Sequence, residues 1–293
     1  MTSTIMTGRT SRALRALPGT AAAGRWRRRA ATAGLALAVF GVLGAPTAAW
    51  AQQTRSWDWK GTLGSGRTVY LRNVNGEVRI EPGTGSTVEV HAEKRWRRGD
   101  PDDVRIEARQ LGSSGDVIIC ALWTERATCD EDGYHGNQDR GWRDRDNDVS
   151  VQFVVKVPVS ARVDASTVNG GLAISGISGD IAAHTVNGDV EAGSTGGRVE
   201  AKTVNGSITV RTVAGGTAGD LEYSTVNGSI TIEMSEGTNA DVNLSTVNGR
   251  IASDFPLTLE GNINPRRIRA KLGNGGPSIR ATTVNGGIRL RKL

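Results

Sequence analysis

The four residues Thr-Val-Asn-Gly recur six times in the C-terminal half of the chain, and no other feature constrains the fold as strongly. The asparagine of this motif falls at positions 169, 187, 205, 227, 248 and 285, so successive copies lie 18, 18, 22, 21 and 37 residues apart. A variant, Asn-Val-Asn-Gly, adds a further copy at Asn75. A period near 20 residues is typical of solenoids and other repeat arrays.

Within each repeat, apolar residues alternate with polar ones. Ile208 and Val210 flank a threonine, and Val242 and Leu244 flank an asparagine. Such alternation predicts short strands with one buried face, and no helical pattern separates them. Two strands and two corners in about 18–22 residues predict a single-stranded parallel β-solenoid, or β-helix, over residues 166–293. A less regular all-β region over residues 52–165 precedes it.

In a parallel solenoid, equivalent residues of successive coils stack about 4.8 Å apart. We therefore expect the motif asparagines to form a structural ladder at one corner, and the motif glycines to supply a positive φ there. The cationic C-terminal stretch GGIRLRKL is expected to blunt an exposed edge of the solenoid. The predicted ladder residues are Asn75, Asn169, Asn187, Asn205, Asn227, Asn248 and Asn285 with Gly170, Gly188, Gly206, Gly228, Gly249 and Gly286.

An antiparallel meander is the alternative architecture. Asn-Gly between alternating strands is also the strongest short signal for a β-hairpin. Successive units, however, keep the same sense of alternation, which favours parallel coils over a reversal of the chain at every motif.

Residues 1–51 have the organisation of a signal peptide. Arginines at 25 and 27–29 precede an apolar run from Ala30 to Gly44, and small residues surround Ala51. We therefore expect an exported protein that is periplasmic, at the cell surface or secreted. The alternative is an uncleaved anchor, which would be the only contact with a membrane.

The charge balance changes once this leader is set apart. It contains 7 of the 36 Lys and Arg residues and none of the 30 Asp and Glu residues, so the remaining chain has 29 basic and 30 acidic residues. A nucleic-acid-binding protein usually has a basic excess. The sequence as a whole therefore does not predict a nucleic-acid partner.

The only two cysteines, Cys120 and Cys129, are expected to pair in an oxidising compartment. Their disulfide would tie one end of a charged surface loop, residues 124–150. In that loop Asp144, Asp146 and Asp148 have the spacing of the first part of a calcium loop, but the glycine and the closing glutamate of that motif are missing. These aspartates are weak metal candidates, and no cofactor is predicted.

Catalytic motifs are also missing from the sequence. Its three histidines, His91, His135 and His184, stand apart from any nucleophile motif. The outward column before the Asn-Gly pairs contains no paired carboxylates to act as acid and base: it reads His184, Lys202, Ser224, Ser245 and Thr282. We therefore expect no enzymatic activity. A polysaccharide-acting enzyme on a β-helix is the alternative function, and a calcium-stabilised β-roll is the second alternative.

Several segments in order resemble one known family. RNVNGEVRIE, VEVHAEKRW and VKVPVSARVDASTVNGGLAI, followed by repeats of TVNGSI, are similar to the bacterial exported "putative adhesin" family, a domain of unknown function. The resemblance covers most of residues 66–293 and departs from the family at the charged loop with Cys129. It implies a repetitive β-solenoid in or outside the cell envelope, without known catalytic or cofactor residues.

Together these observations predict a non-catalytic, adhesin-like interaction protein of the cell envelope. Its solenoid faces would bind an envelope or extracellular protein, a glycan, or a second copy of the chain. The sequence does not identify the ligand.

Overall fold

The computed structural model describes residues 52–112, 114–136, 147–212, 219–261 and 264–293. The predicted signal peptide, residues 1–51, and residues 137–146 of the charged loop lie outside this range. The described chain forms 23 β-strands and one 3₁₀ turn, Pro101–Asp103. None of its helical segments has the length and apolar character that crossing a membrane requires.

The strands are β1 (Gln53–Thr62), β2 (Thr68–Arg72), β3 (Val78–Pro82), β4 (Thr87–Trp96), β5 (Arg105–Gln110), β6 (Val117–Leu122), β7 (Thr128–Cys129), β8 (Tyr134–His135), β9 (Ser150–Val157), β10 (Arg162–Ser166), β11 (Leu172–Ile177), β12 (Ile181–His184), β13 (Val190–Ser194), β14 (Val199–Lys202), β15 (Ile208–Thr212), β16 (Leu221–Asn227), β17 (Ile230–Met234), β18 (Ala240–Asn248), β19 (Ile251–Ser253), β20 (Leu257–Leu259), β21 (Arg267–Leu272), β22 (Ser278–Asn285) and β23 (Ile288–Lys292).

Two long sheets enclose the core. Sheet A has the order β1-β4-β9-β3-β11-β13-β15-β17-β23-β19, and sheet B has the order β20-β21-β18-β22-β16-β14-β12-β10-β2-β6-β5. Each coil contributes one strand to each sheet, and coil strands pair in parallel, as β12 does with β14 and β13 with β15. The predicted parallel solenoid is therefore confirmed, and the meander alternative is wrong for these coils.

Antiparallel strands terminate the solenoid at both ends. At the N-terminal end, β1 and β4 extend sheet A and β5 extends sheet B, each pairing antiparallel. At the other end, β21 and β20 add antiparallel strands to sheet B beside β18. The N-terminal strands β1, β4 and β5 belong to the less regular all-β region that the sequence predicted for residues 52–165. The boundary predicted after residue 165 falls inside β10, and both sheets continue across it.

The last coil of the chain does not lie at the end of the solenoid. Strands β22 and β23 are inserted between β16–β17 and β18–β19, so β23 pairs with β17 on one side and β19 on the other. The expectation that the C-terminal stretch blunts an exposed edge is wrong. Both sides of β23 have backbone partners, namely β17 and β19. In sheet B, the hairpin β20–β21 occupies the outer side of β18.

The core consists mainly of small aliphatic side chains from the inward positions of both sheets. Val199, Ala201, Ile208 and Val210 of one coil are all fully buried. Tyr223 is the largest fully buried side chain of the described residues, and it lies between two alanines in the same column of sheet B. Burial of each aliphatic side chain contributes about 1.5–3 kcal/mol, so stability must come from many stacked coils.

Candidate interaction surface

The threonine of the motif points into the protein. All six motif threonines are at most 6% exposed. Each hydroxyl donates to the carbonyl oxygen of the motif glycine in the neighbouring coil, as Thr185 Oγ1 does to Gly170 O at 2.9 Å. The same bond recurs in the other coils at 2.8–3.4 Å. The hydroxyl thus satisfies a carbonyl at the corner where the chain leaves the sheet.

The glycine of the motif is required by close packing. A Cβ atom at Gly188 would lie 2.0 Å from the carbonyl oxygen of Gly170, and one at Gly206 would lie 1.9 Å from that of Gly188. Positive φ values occur at other glycines, including Gly76, but not at the six motif glycines of residues 170–286. The predicted reason for these glycines, a positive φ, is therefore wrong. Coils one strand spacing apart leave no room for a side chain at this corner.

The asparagines of the motif stack with their amides in contact. Asn187 Nδ2 donates to Asn169 Oδ1 at 2.9 Å, and Asn205 repeats the bond to Asn187 at 2.8 Å. The series continues through Asn227 and then, following the inserted coil, through Asn285 to Asn248. At the N-terminal end the Asn75 amide donates instead to the backbone carbonyl of Val149, at 2.8 Å. Its backbone forms a parallel bridge with Asn169.

The valine of the motif has its side chain in solvent. The six valines are 36–53% exposed although they belong to one of the most hydrophobic residue types. Because the motifs stack in register, these side chains form one continuous row beside the asparagine amides. We call this row the valine ridge, and its members in spatial order are Val168, Val186, Val204, Val226, Val284 and Val247. Sequence reasoning missed the ridge, although the recurring valine was visible in every copy of the motif.

A groove on the outer face of sheet A is a second candidate surface. It has a volume of about 260 Å³ and a floor of small residues that includes Ala173. Arg79 and Arg211 line it from β3 and β15. Both guanidinium groups are already paired, with Glu77 at 3.2 Å and Glu233 at 2.8 Å. Because both arginines already have carboxylate partners, they are less available to a ligand than the exposed valines of the ridge.

One known protein family matches this sequence. The family model Toastrack DUF4097 matches residues 144–291, which is half of the chain and includes all six Thr-Val-Asn-Gly copies. The chain belongs to the Toastrack DUF4097 family. The resemblance to a bacterial domain-of-unknown-function family is thereby confirmed. No curated protein matches the sequence.

Two solved structures are similar to this Toastrack chain. One is a "putative cell adhesion protein" from Clostridium sporogenes, with 10% identity and a TM-score of 0.42, covering 82% of this chain and 100% of that one. The other is a "putative adhesin" from Bacteroides fragilis, with 10% identity and a TM-score of 0.36, covering 82% of this chain and 97% of that one. Membership of the family rests on the sequence match.

A disulfide-linked hairpin lies outside the matched Toastrack range. Cys120 and Cys129 form a disulfide with a Cα–Cα distance of 6.5 Å, and β7–β8 pack on the outer face of sheet B at β6. Beneath them Arg72 is 3% exposed, and its Nη1 donates to Asp164 Oδ1 at 2.7 Å. Its Nη2 donates to the backbone carbonyl of Glu131 in the hairpin at 2.6 Å. A buried charge thus links the hairpin to the solenoid.

The calcium candidates fall partly outside the described residues. Asp144 and Asp146 lie outside this range. Asp148 is described, and its carboxylate accepts the backbone N–H groups of Arg97, Arg98 and Gly99 at 2.8–3.3 Å. These bonds, the one from Gly99 first, lower the pKa of Asp148. Within the described residues, no group of three or more His, Cys, Asp or Glu side chains has the arrangement of a metal site.

The Toastrack coils also bring two carboxylates together that sequence reasoning did not pair. Glu200 and Glu222 occupy partner positions on β14 and β16, facing outward. Lys202 Nζ lies 2.7 Å from Glu200 and 3.4 Å from Glu222, and its hydrogen bond lowers the pKa of Glu200. A general acid for glycoside hydrolysis requires a raised pKa, so this pair has the electrostatics of an ion-pair network.

Proposed function

We propose that this protein is an exported, non-catalytic interaction protein of the cell envelope, and that the valine ridge is its principal contact surface. The partner is an envelope or extracellular protein, a glycan, or a second copy of the chain. The leader of residues 1–51 and the disulfide support an oxidising compartment outside the cytoplasm.

The exposed valine column is the observation that carries this proposal. Threonine, asparagine and glycine of the motif each make a contact between coils, whereas the valine side chain remains 36–53% exposed in every copy. A contiguous exposed apolar row is typical of interaction sites on soluble proteins. The adjacent amide ladder adds hydrogen-bonding groups, so the surface combines an apolar stripe with a polar one, as protein interfaces do.

The test replaces all six ridge valines by threonine in the chain beginning at Gln52. Threonine keeps the β-branched shape that suits strands and corners, so the fold should remain intact. Binding to purified cell envelopes is measured by co-sedimentation, and self-association is measured by sedimentation velocity at several concentrations. We expect the ridge variant to lose at least about tenfold in affinity, because each lost methyl contact contributes up to about 0.8 kcal/mol.

Val159→Thr is the matched control, because Val159 is 47% exposed but lies outside the ridge. It should bind like the wild type. A ridge variant with the melting temperature and the binding affinity of the wild type would contradict the proposal. Envelope glycans incubated with the wild-type protein should release no new reducing ends, and steady release would refute its non-catalytic character.

A further inference from the structure

Positive charge is concentrated at one end of the repeat region. Residues 250–293 contain nine basic residues (Lys and Arg) and two acidic residues (Asp and Glu). Residues 166–249, in contrast, contain three basic and nine acidic residues. The near-neutral balance of the chain after residue 51 therefore conceals a strong local excess. The inserted last coil and the hairpin β20–β21 carry this excess.

Three arginines of this region share the outer face of sheet B. Arg269 on β21 and Arg280 on β22 are both register partners of Asn243 on β18, which lies between them. Arg267 is the partner of Ser245 in the next row of outward positions. Strand spacing places the Cα atoms of Arg269 and Arg280 about 10 Å apart, and those of Arg267 and Arg269 about 7 Å apart. We call these five residues the arginine platform.

The platform arginines are exposed, and none of the three forms an ion pair within the described part of the chain. Two neighbouring acids have other partners. Glu222, the other register partner of Arg280, is 3.4 Å from Lys202, and Glu260 is 3.0 Å from Lys271. Three guanidinium groups thus face solvent together and are available to an external anion.

We propose that the arginine platform binds an acidic polysaccharide. Guanidinium groups bind carboxylates in a bidentate manner, and their spacing over two rows matches a ligand with several negative charges along a chain. Asn243 and Ser245 provide hydrogen-bonding groups beside the cations, as hydroxyl-rich sugars require. None of the platform residues belongs to the valine ridge, and the proposal does not depend on the function of the ridge.

The side chains of the platform favour a glycan over the other common polyanions. Single-stranded nucleic acids are bound on aromatic stacking platforms, and the platform has no aromatic residue. Stable binding to a membrane surface requires apolar side chains that enter the lipid. The arginine platform has polar and cationic side chains only, with ridge residue Val247 at its border.

The experiment compares the wild type with Arg267→Gln/Arg269→Gln/Arg280→Gln, both beginning at Gln52. Affinity for polygalacturonate is measured at two salt concentrations, with dextran as the uncharged polysaccharide. Exposed ion pairs are individually weak, so we expect the three substitutions together to reduce the affinity at least about tenfold. They should also reduce its salt dependence. The melting temperature should not change.

Arg67→Gln/Arg162→Gln/Arg198→Gln is the matched control, because it removes the same charge from exposed arginines elsewhere. Its affinity should change less than about twofold. The ridge variant should bind polygalacturonate like the wild type, which separates this proposal from the previous one. Equal losses in both arginine variants, no binding by the wild type, or tighter binding to duplex DNA or phosphatidylglycerol vesicles would each overturn it.

Discussion

Replacing Gly188 by alanine tests whether close packing of the coils holds the solenoid together. The new Cβ would lie 2.0 Å from the carbonyl oxygen and 2.4 Å from the carbonyl carbon of Gly170. Cβ atoms in proteins essentially never come within 3.0 Å of another such heavy atom. Both atoms belong to backbone, so no side chain can rotate away. The two coils must therefore separate by about 1 Å at this corner.

That separation breaks the hydrogen bonds between the two coils. Asn187 O accepts from Gly170 N at 2.9 Å, Val168 O from Asn187 N at 2.7 Å, and Gly170 O from Thr185 Oγ1 at 2.9 Å. An increase of 1 Å takes all three beyond hydrogen-bonding distance. At about 1 kcal/mol each, their loss lowers the free energy of unfolding by about 3 kcal/mol.

Equilibrium unfolding in urea of the chain beginning at Gln52 provides the measurement. Gly112→Ala is the control, because a Cβ atom there would have no neighbour within 4 Å and its φ is not in the left-handed region. The control should change the free energy of unfolding by less than about 1 kcal/mol. If Gly188→Ala were as stable as this control, close packing at the motif corner would not explain the recurring glycine.

Three further perturbations follow from the structure. Tyr223→Phe should raise the free energy of unfolding by about 1 kcal/mol in urea titrations, because the buried hydroxyl has no hydrogen-bond partner. Burial raises the pKa of Tyr223 above its ordinary 10.0, so the tyrosine ionises at a lower pH in the unfolded state than in the folded state. The free energy of unfolding of the wild type should therefore fall above about pH 10, and the phenylalanine variant should not show this part of the decrease. Asn205→Ala removes two amide bonds of 2.8 Å and should cost about 1–2 kcal/mol by the same titration; no loss would mean that the ladder is not stabilising. Cys120→Ala/Cys129→Ala should cost about 2–3 kcal/mol and raise hydrogen exchange in residues 123–135 but not in the motif coils, and unchanged exchange there would show that the hairpin does not need the disulfide.

The asparagine and glycine of the motif show how far sequence reasoning reaches. Period and alternation correctly predicted parallel coils, because identical residues repeated at a fixed interval can satisfy one another only by stacking in register. The reason for the glycines was wrong at Gly188, since a local turn rule cannot reveal the carbonyl of another coil. The exposure of the valines was likewise not predicted, because alternation does not specify which way a corner residue points.

The sequence by itself determined the coil: two short strands, a corner of Thr-Val-Asn-Gly, and parallel stacking. Only the tertiary structure decided the order of the coils. Any copy of the motif can stack on any other copy. The local sequence therefore does not determine that β23 pairs with β17 and β19 instead of lying at an edge. The antiparallel hairpin β20–β21 occupies the outer side of β18, and the last coil takes the remaining place. The same arrangement joins Arg269 and Arg280 across Asn243, because a surface built from separate segments exists only once their spatial order is fixed.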